Sequence, residues 1–332
     1  MTGPPDRPRP SPARGGARDA AIRLRVPATS ANLGPAFDCA GLALGLHDEL
    51  ELNLLERGSL EIEVHGEGAG ALAVDDTHLV VRAYRAACAE LGWDAPGLRI
   101  VARNGVPQGR GLGSSAAAVV AGVLGAWALC PDVETVDRDA VLRLATELEG
   151  HPDNVAACLL GGFTLSWPAA GGAAAVSLAV HPEVQAVVLV PDATLSTAHA
   201  RGLLPDVVPH VDAAYNAGRA ALLVHAVTAD PDLLLEATDD RLHQQQRRPA
   251  MPESLALIDR LRAAGRAAVV SGAGPSVLVL ARRTLATPGE PGAAELASVR
   301  ALAPSGWSVT PLPVDLAGAR VEPVAGQPGG AR

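Results

Sequence analysis

Pro107-Gln-Gly-Arg-Gly-Leu-Gly-Ser-Ser-Ala-Ala-Ala118 holds the residues best suited to chemistry. Glycines at 109, 111 and 113 let backbone N–H groups crowd around a ligand without Cβ clashes. The apolar run Ala116 to Cys130 reads as a helix, so the glycines sit where its first free N–H groups point outward. That arrangement suits an anion, above all a polyphosphate. The hydroxyls of Ser114 and Ser115 can bond phosphate oxygens or enter a Mg2+ shell, which prefers hard oxygen ligands. An Ala/Gly-rich turn that merely permits close helix packing is the competing reading. A dinucleotide fingerprint fails on spacing, because Gly109-x-Gly111 requires glycine at 114, where Ser114 stands. The sequence contains no lysine, which excludes a Walker A loop and the protein-kinase design.

Five further segments hold polar residues between apolar runs. Pro27-Ala-Thr-Ser-Ala-Asn-Leu-Gly-Pro-Ala-Phe-Asp38 follows a strand and places Thr29, Ser30, Asn32 and Asp38 in a turn, either as a site or as locally bonded turn residues. Glu147-Leu-Glu149-Gly-His-Pro-Asp-Asn154 sets two carboxylates at a helix C-terminus. The dipole disfavours them there unless a cation is near; a solvated helix end is the simpler local reading. His151, ahead of Pro152, reads as structural. Leu195-Ser-Thr-Ala-His-Ala-Arg201 and Leu242-His-Gln-Gln-Gln-Arg247-Arg248 offer guanidinium forks for a carboxylate, or ordinary surface charge. Ser271-Gly-Ala-Gly-Pro-Ser276 is a turn able to close over phosphates or substrate.

The elements that must position these segments alternate between strand and helix periodicity. Strands are expected at 22–26, 60–64, 98–101, 184–190, 267–271 and 277–281. Helices are expected at 75–91, 116–130, 139–150, 211–229, 233–242 and 254–264. The texture changes after the glycine-rich stretch 161–174. An α+β chain follows, with domains at 21–178 and 179–316 meeting near 175–182. Residues 1–20, rich in Pro, Arg and Gly, are expected to be a disordered extension, and 317–332 a flexible tail. With 48% hydrophobic residues but 2% aromatic, the core must be built from Ala, Val and Leu. A formal net charge of −9 argues against nucleic acid and acidic membranes as partners. The N-terminus lacks the apolar stretch of a signal peptide, and Ala116–Cys130 is too short to span a bilayer comfortably. Four cysteines without a C-x-x-C pair fit a reduced, cytoplasmic compartment.

Taken in order, three segments resemble the signatures of the GHMP kinases: Pro27 to Gly34, Gly109 to Ala117, and Ser271 to Ser276. Within that family the likeness is greatest to the branch acting on homoserine, through Ser30 to Asp38, His151-Pro-Asp-Asn-Val155, Leu195 to Arg201 and the Arg247 segment. The resemblance implies a two-domain α+β GHMP kinase fold with its active site in the inter-domain cleft. It implies ATP and Mg2+ as cofactors and L-homoserine as the small-molecule substrate, on the route to threonine. Pro107, Gly109, Arg110, Gly111, Leu112, Gly113, Ser114, Ser115, Ala116 and Ala117 would wrap the ATP phosphates. Ser114 or Ser115, with Glu149, would hold Mg2+. Asn32, Asp38 and Asn154 would meet the ammonium and hydroxyl ends of the amino acid. Arg201 and Arg247 would take its carboxylate, with Arg248 the alternative to Arg247. Thr197 would lie near the transferred phosphoryl group; Asn154, Thr197 and Glu149 form the implied catalytic set.

The sequence departs from the family pattern at Ala36, Gln108, Gln246 and His78, and none of these removes a group the chemistry requires. Phosphoryl transfer is mostly positioning and electrostatics, so a strong base is dispensable. A mevalonate-like kinase and a non-catalytic amino-acid or nucleotide sensor are the alternatives, and a homodimer is left open.

Overall fold

The computed structural model describes residues 21–94, 96–282 and 293–324. The expected disordered extension, residues 1–20, lies outside the described residues. The first half carries β1 (Ala21–Ala31), β2 (Ala40–Leu55), β3 (Leu60–Gly66), α1 (Leu79–Glu90), β4 (Gly97–Asn104), α2 (Ser114–Leu129), α3 (Arg138–Glu149), α4 (Pro152–Leu160), β5 (Phe163–Ala169) and β6 (Gly172–Leu178). The second half carries β7 (Val184–Val190), α5 (Thr197–Gly202), α6 (His210–Thr228), α7 (Leu234–Ala237), α8 (Pro252–Ala263), β8 (Ala267–Val270), β9 (Val277–Arg282), α9 (Ala293–Leu302), β10 (Ser308–Leu312) and β11 (Arg320–Pro323).

The larger sheet runs β11-β1-β2-β4-β3, and the β5–β6 hairpin joins it through β2. Among the described residues only β3 and β4 pair in parallel. On β1, Ile22, Leu24 and Val26 turn inward while Arg23 and Arg25 face solvent, as a half-covered strand requires. From Val26 to Ala31 every residue is buried, so the strand continues through Thr29 and Ser30 instead of turning there. Of the four polar residues expected in a turn there, only Asn32 and Asp38 lie in the turn beyond the strand. Helices α1 to α4 pack their apolar residues with this sheet in one core, at whose centre lies the nearly all-buried α2.

The smaller sheet, β10-β7-β9-β8, is antiparallel throughout. It is covered on both faces, which is why β7 reads as an unbroken apolar run. Ala186 and Val188 join the core containing Leu42, Leu44, Phe163 and Leu223, whereas Val187 and Leu189 join the core formed with α8 and α9. The first of these cores draws on both sheets, so the two halves share a hydrophobic seam.

Two expectations about the elements need correction. The helix expected at 233–242 is a short 3-10 turn, Pro231–Leu233, followed by α7, which ends at Ala237. Beyond it the chain is organised by the buried Asp240 carboxylate, which accepts from the N–H groups of Leu242, His243 and Gln244 at 3.0, 3.1 and 2.9 Å. The segment 317–324, expected within a flexible tail, returns to the first half as β11 and pairs with β1 from Ile22↔Pro323 to Arg25↔Arg320. Asp315 anchors that return, accepting from Ala317 N, Gly318 N and His47 Nε2 at 2.8, 2.9 and 2.6 Å. The glycine-rich stretch 161–174 runs into the β5–β6 hairpin, paired from Phe163↔Leu178 to Ala169↔Gly172.

Among the described residues, no helix is long and apolar enough to cross a membrane. All four cysteines are free thiols.

Candidate active site

A cavity of about 450 Å3 lies between the two halves. The glycine segment forms one wall. Gly109, Gly111 and Gly113 take φ of 64°, 71° and 71°, the left-handed region that L side chains rarely adopt. Gly113 is the N-cap of α2 and supplies no side-chain cap, so the first-turn N–H groups of that helix are left for a ligand. At Gly111 a Cβ would come within 2.2 Å of Ser271 O. The loop is held from both sides. Thr29 N donates to Leu112 O at 3.0 Å, Ser271 Oγ donates to Gly111 O at 2.7 Å, and Leu195 N donates to Gly109 O at 2.9 Å. Gly272 N donates to Ala31 O at 3.1 Å, which completes the junction of the three signature segments.

Most of the loop residues expected at phosphate line the cavity: Pro107, Gly109, Gly111 to Ser115. Three do not. Arg110 turns away and donates to the carbonyls of Pro191 and Asp192 at 2.9 and 3.0 Å. Ala116 and Ala117 are buried in the packing of α2 against the sheet.

Ser115 Oγ donates to Glu149 Oε2 at 2.6 Å, joining the first turn of α2 to the last residue of α3. Burial raises the Glu149 carboxyl above the ordinary range, and the Ser115 hydrogen bond opposes that rise. Ser114 lines the same wall. Glu147 faces elsewhere and pairs with Arg143 at 3.3 Å.

The opposite group of residues comes from four places in the chain. Asn32, Leu33 and Asp38 all have positive φ, at 70°, 46° and 55°. Non-glycine residues persist there only when surrounding contacts hold them, a hallmark of functional turns. Asn32 Nδ2 donates to Gly272 O at 2.8 Å, and its Oδ1 accepts from Asp38 N at 3.0 Å. Arg201, near the end of α5, forms a two-pronged pair with Asp38, one arm being Nη1 to Oδ2 at 3.0 Å and the other Nη2 to Oδ1. Thr197 opens the same helix, whose N-cap is Ser196.

Arg247 is 1% exposed and lines the cavity. Its Nη1 donates to Gly272 O at 3.1 Å and to His243 Nδ1 at 3.2 Å, while its Nε, also buried, has no protein partner. Burial, followed by the nearby Arg201 charge, pushes its pKa down to about 10. Arg248 bonds Gln245 and Asp259 at the surface, so of the two neighbours Arg247 faces the cavity. His243 Nε2 to Gly34 O at 2.8 Å and the Asp240 cap fix the turn that buries it.

Asn154 sits in the first turn of α4, with its Oδ1 accepting from Thr29 Oγ1 at 2.8 Å. Beside it, Asp153 also lines the cavity and is 3% exposed. Burial pushes its pKa up to about 6, and the backbone hydrogen bond from Asn154 N opposes that. Asp153 was not among the expected site residues, although its motif was. Nothing in its local sequence distinguishes it from a solvated first-turn acid. Apolar Leu50, Leu72, Leu79, Val80 and Ala102 line a further part of the cavity, with His78 beside them. Burial lowers the His78 pKa, and the Asp75 charge opposes that.

The geometry therefore joins a helix start without a side-chain cap, a serine–glutamate oxygen pair, and a carboxylate with two guanidiniums. The model of the GHMP kinases N terminal domain matches residues 78–162, and that of the GHMP kinases C terminal domain matches 220–296. The homoserine kinase of Streptomyces avermitilis is 53% identical over 309 residues, 93% of this chain and 98% of that protein. That of Clavibacter michiganensis is 50% identical over 91% of this chain and 94% of its own. The homoserine kinase structure from Cytophaga hutchinsonii superimposes with a TM-score of 0.76 at 26% identity, covering 94% of this chain and all of the other. The mevalonate kinase of L. major shares the fold alone, with a TM-score of 0.60 at 16% identity. The chain belongs to the homoserine kinases of the GHMP kinase family.

Proposed function

We propose that this kinase transfers the γ-phosphoryl group of ATP to the side-chain hydroxyl of L-homoserine, giving O-phospho-L-homoserine on the route to threonine. The observation that carries the reading is Arg201 and Arg247 at the cavity that the glycine loop lines, with the Asp38 carboxylate paired to Arg201. A zwitterion needs one acid for its ammonium and guanidiniums for its carboxylate. Asp38 and Asn32 meet the ammonium end, while Arg201 and the under-bonded Arg247 take the carboxylate. A mevalonate-type substrate has a carboxylate but no ammonium, and leaves Asp38 only its pair with Arg201.

The residues at the loop fit Mg2+. Ser115 and Glu149 present hard oxygens 2.6 Å apart, and among the described residues no cluster of three or more acids, histidines or cysteines could hold a metal unaided. Mg2+ takes one or two protein oxygens and completes its shell from phosphate and water. Ser114 or Ser115 with Glu149 would hold it, and when bound it neutralises charge developing on the phosphates.

The chain's own part is to position. The N–H groups at the start of α2 hold the phosphates, and the arginines fix the amino-acid backbone. Asn154 holds the acceptor hydroxyl, and Thr197 borders the transferred group. A loose phosphoryl-transfer transition state asks little of a base, so alignment and charge supply the rate. The cavity lies within the cytoplasmic biosynthetic setting that the reaction implies.

Alanine at Glu149 separates this reading from a sensor that binds without turnover. The expected result is turnover reduced by roughly 100-fold or more, with L-homoserine affinity by calorimetry kept within a few-fold. Unchanged turnover would contradict the metal assignment, and unchanged ligand responses with no turnover in the parent protein would favour the sensor.

A further inference from the structure

An asparagine side chain has two ends of nearly equal shape, and its neighbours decide which end faces where. Asn154 has two such neighbours. Asp153 Oδ1 already accepts from Asn154 N at 2.7 Å and lies 3.4 Å from Asn154 Nδ2. An ionised carboxylate only accepts, so the amide nitrogen belongs on that side. On the other side, Thr29 Oγ1 donates to Asn154 Oδ1 at 2.8 Å across 125 residues of sequence. Thr29 is wholly buried. A Cβ on Gly113 would fall 1.9 Å from its hydroxyl, so the phosphate loop closes directly over it.

We propose that Thr29 is a positioning residue for phosphoryl transfer: its hydroxyl locks the Asn154 amide so that Nδ2 serves the acceptor hydroxyl in the cavity. The proposal rests on the assignment of Asn154 to the substrate hydroxyl given above. With Oδ1 bonded to Thr29, the Nδ2 proton not turned to Asp153 is left for the cavity that Asn154 lines. A donor there holds the substrate oxygen by one lone pair and leaves another for attack on phosphorus. Without the Thr29 hydroxyl, Oδ1 loses its buried donor. Only the long 3.4 Å contact with Asp153 then opposes a flip that would offer an acceptor where the reaction needs a donor. The backbone N–H of Thr29 holds Leu112 O regardless of side chain, so the phosphate loop keeps that tie.

The test is a ranking of Thr29→Ser, Thr29→Ala and Thr29→Val. Serine keeps the hydroxyl and loses the methyl, valine keeps the shape and loses the hydroxyl, and alanine loses both. The expected result is kcat within about threefold of the parent for serine but lowered about tenfold or more for valine and alanine. KM for ATP should stay within about threefold in all three. A purely structural residue gives the opposite order, because a buried site tolerates valine better than serine. Full activity in Thr29→Val, or a rise in KM for ATP that accounts for the loss, would overturn the proposal. Should alanine fail to fold, the serine–valine comparison decides alone. Failure of the substrate reading shows separately, as no turnover of L-homoserine by the parent protein; the ranking is then read with whichever alcohol it phosphorylates.

Discussion

Replacing Arg247 by methionine should damage function while sparing the fold, an outcome opposite to that of most large buried residues. The guanidinium is 1% exposed, its Nε lacks a protein partner, and its pKa falls well below the ordinary arginine value, to about 10. A base depressed by that much costs the folded state on the order of 3 kcal/mol at neutral pH, because folding must bury it charged. Methionine removes this cost and fills similar volume. In exchange His243 Nδ1 loses a partner, at about 1–2 kcal/mol. Gly272 O keeps its bond from Asn32 at 2.8 Å. The unliganded variant should therefore be at least as stable as the parent in urea unfolding. Binding is another matter. Removing one partner of a buried, charge-assisted pair costs about 2–5 kcal/mol, or roughly 30-fold to several-thousand-fold in kcat/KM for the amino acid. At saturating MgATP the loss should fall mainly on KM for L-homoserine. A KM within about threefold of the parent would refute the carboxylate role. A variant clearly less stable than the parent would refute the claim that Arg247 is held at a cost for its ligand.

Two further predictions concern the frame of the site. Gly111→Ala meets both a φ of 71° and a 2.2 Å approach to Ser271 O; loop and 271–276 turn must separate, so KM for ATP should rise about tenfold or more with stability lowered by over 1 kcal/mol. Parent-like ATP kinetics would show that the loop does not cradle phosphate as built. Asp315→Ala should cost about 2 kcal/mol at pH 7, since hydrogen bonds from His47 and two backbone N–H groups hold that carboxyl down to about 2. A depressed acid stabilises above its ordinary pKa and loses that contribution as pH falls through about 4 towards 2, so the gap between variant and parent should narrow in acid. Urea titrations at pH 7 and pH 3 check it, and a gap that widens in acid would contradict the pairing.

Much of the site was legible because its pieces are local. The glycine–serine loop, the Asn32–Asp38 turn and the 271–276 turn each announce themselves within a dozen residues. What joins them is not local. Asp38 and Arg201 meet across 163 residues, and only the fold shows that each bonds the other. Arg247 and Arg248 are chemically identical neighbours; the Asp240-capped turn buries one and leaves the other at the surface. Asp153 lies hidden between Pro152 and Asn154, and its burial comes from the packing of α4, which sequence alone did not reveal. Strand β11 has a single apolar residue, Val321, and reads as loop; its order comes from pairing with β1 and from the Asp315 anchor. The helix expected at 233–242 failed for a similar reason, because Asp240 offers the backbone a competing cap.

In the proposed function, Arg201 and Asp38 meet the two charges of the amino acid and the glycine loop meets the triphosphate. The most direct measurement is phosphorus NMR of purified protein with MgATP and, separately, L-homoserine, L-threonine, L-serine, mevalonate and galactose. The account predicts rapid appearance of a phosphomonoester with L-homoserine, matched by ADP, and far slower or no product with the others. Turnover of mevalonate or galactose in preference to L-homoserine would contradict it.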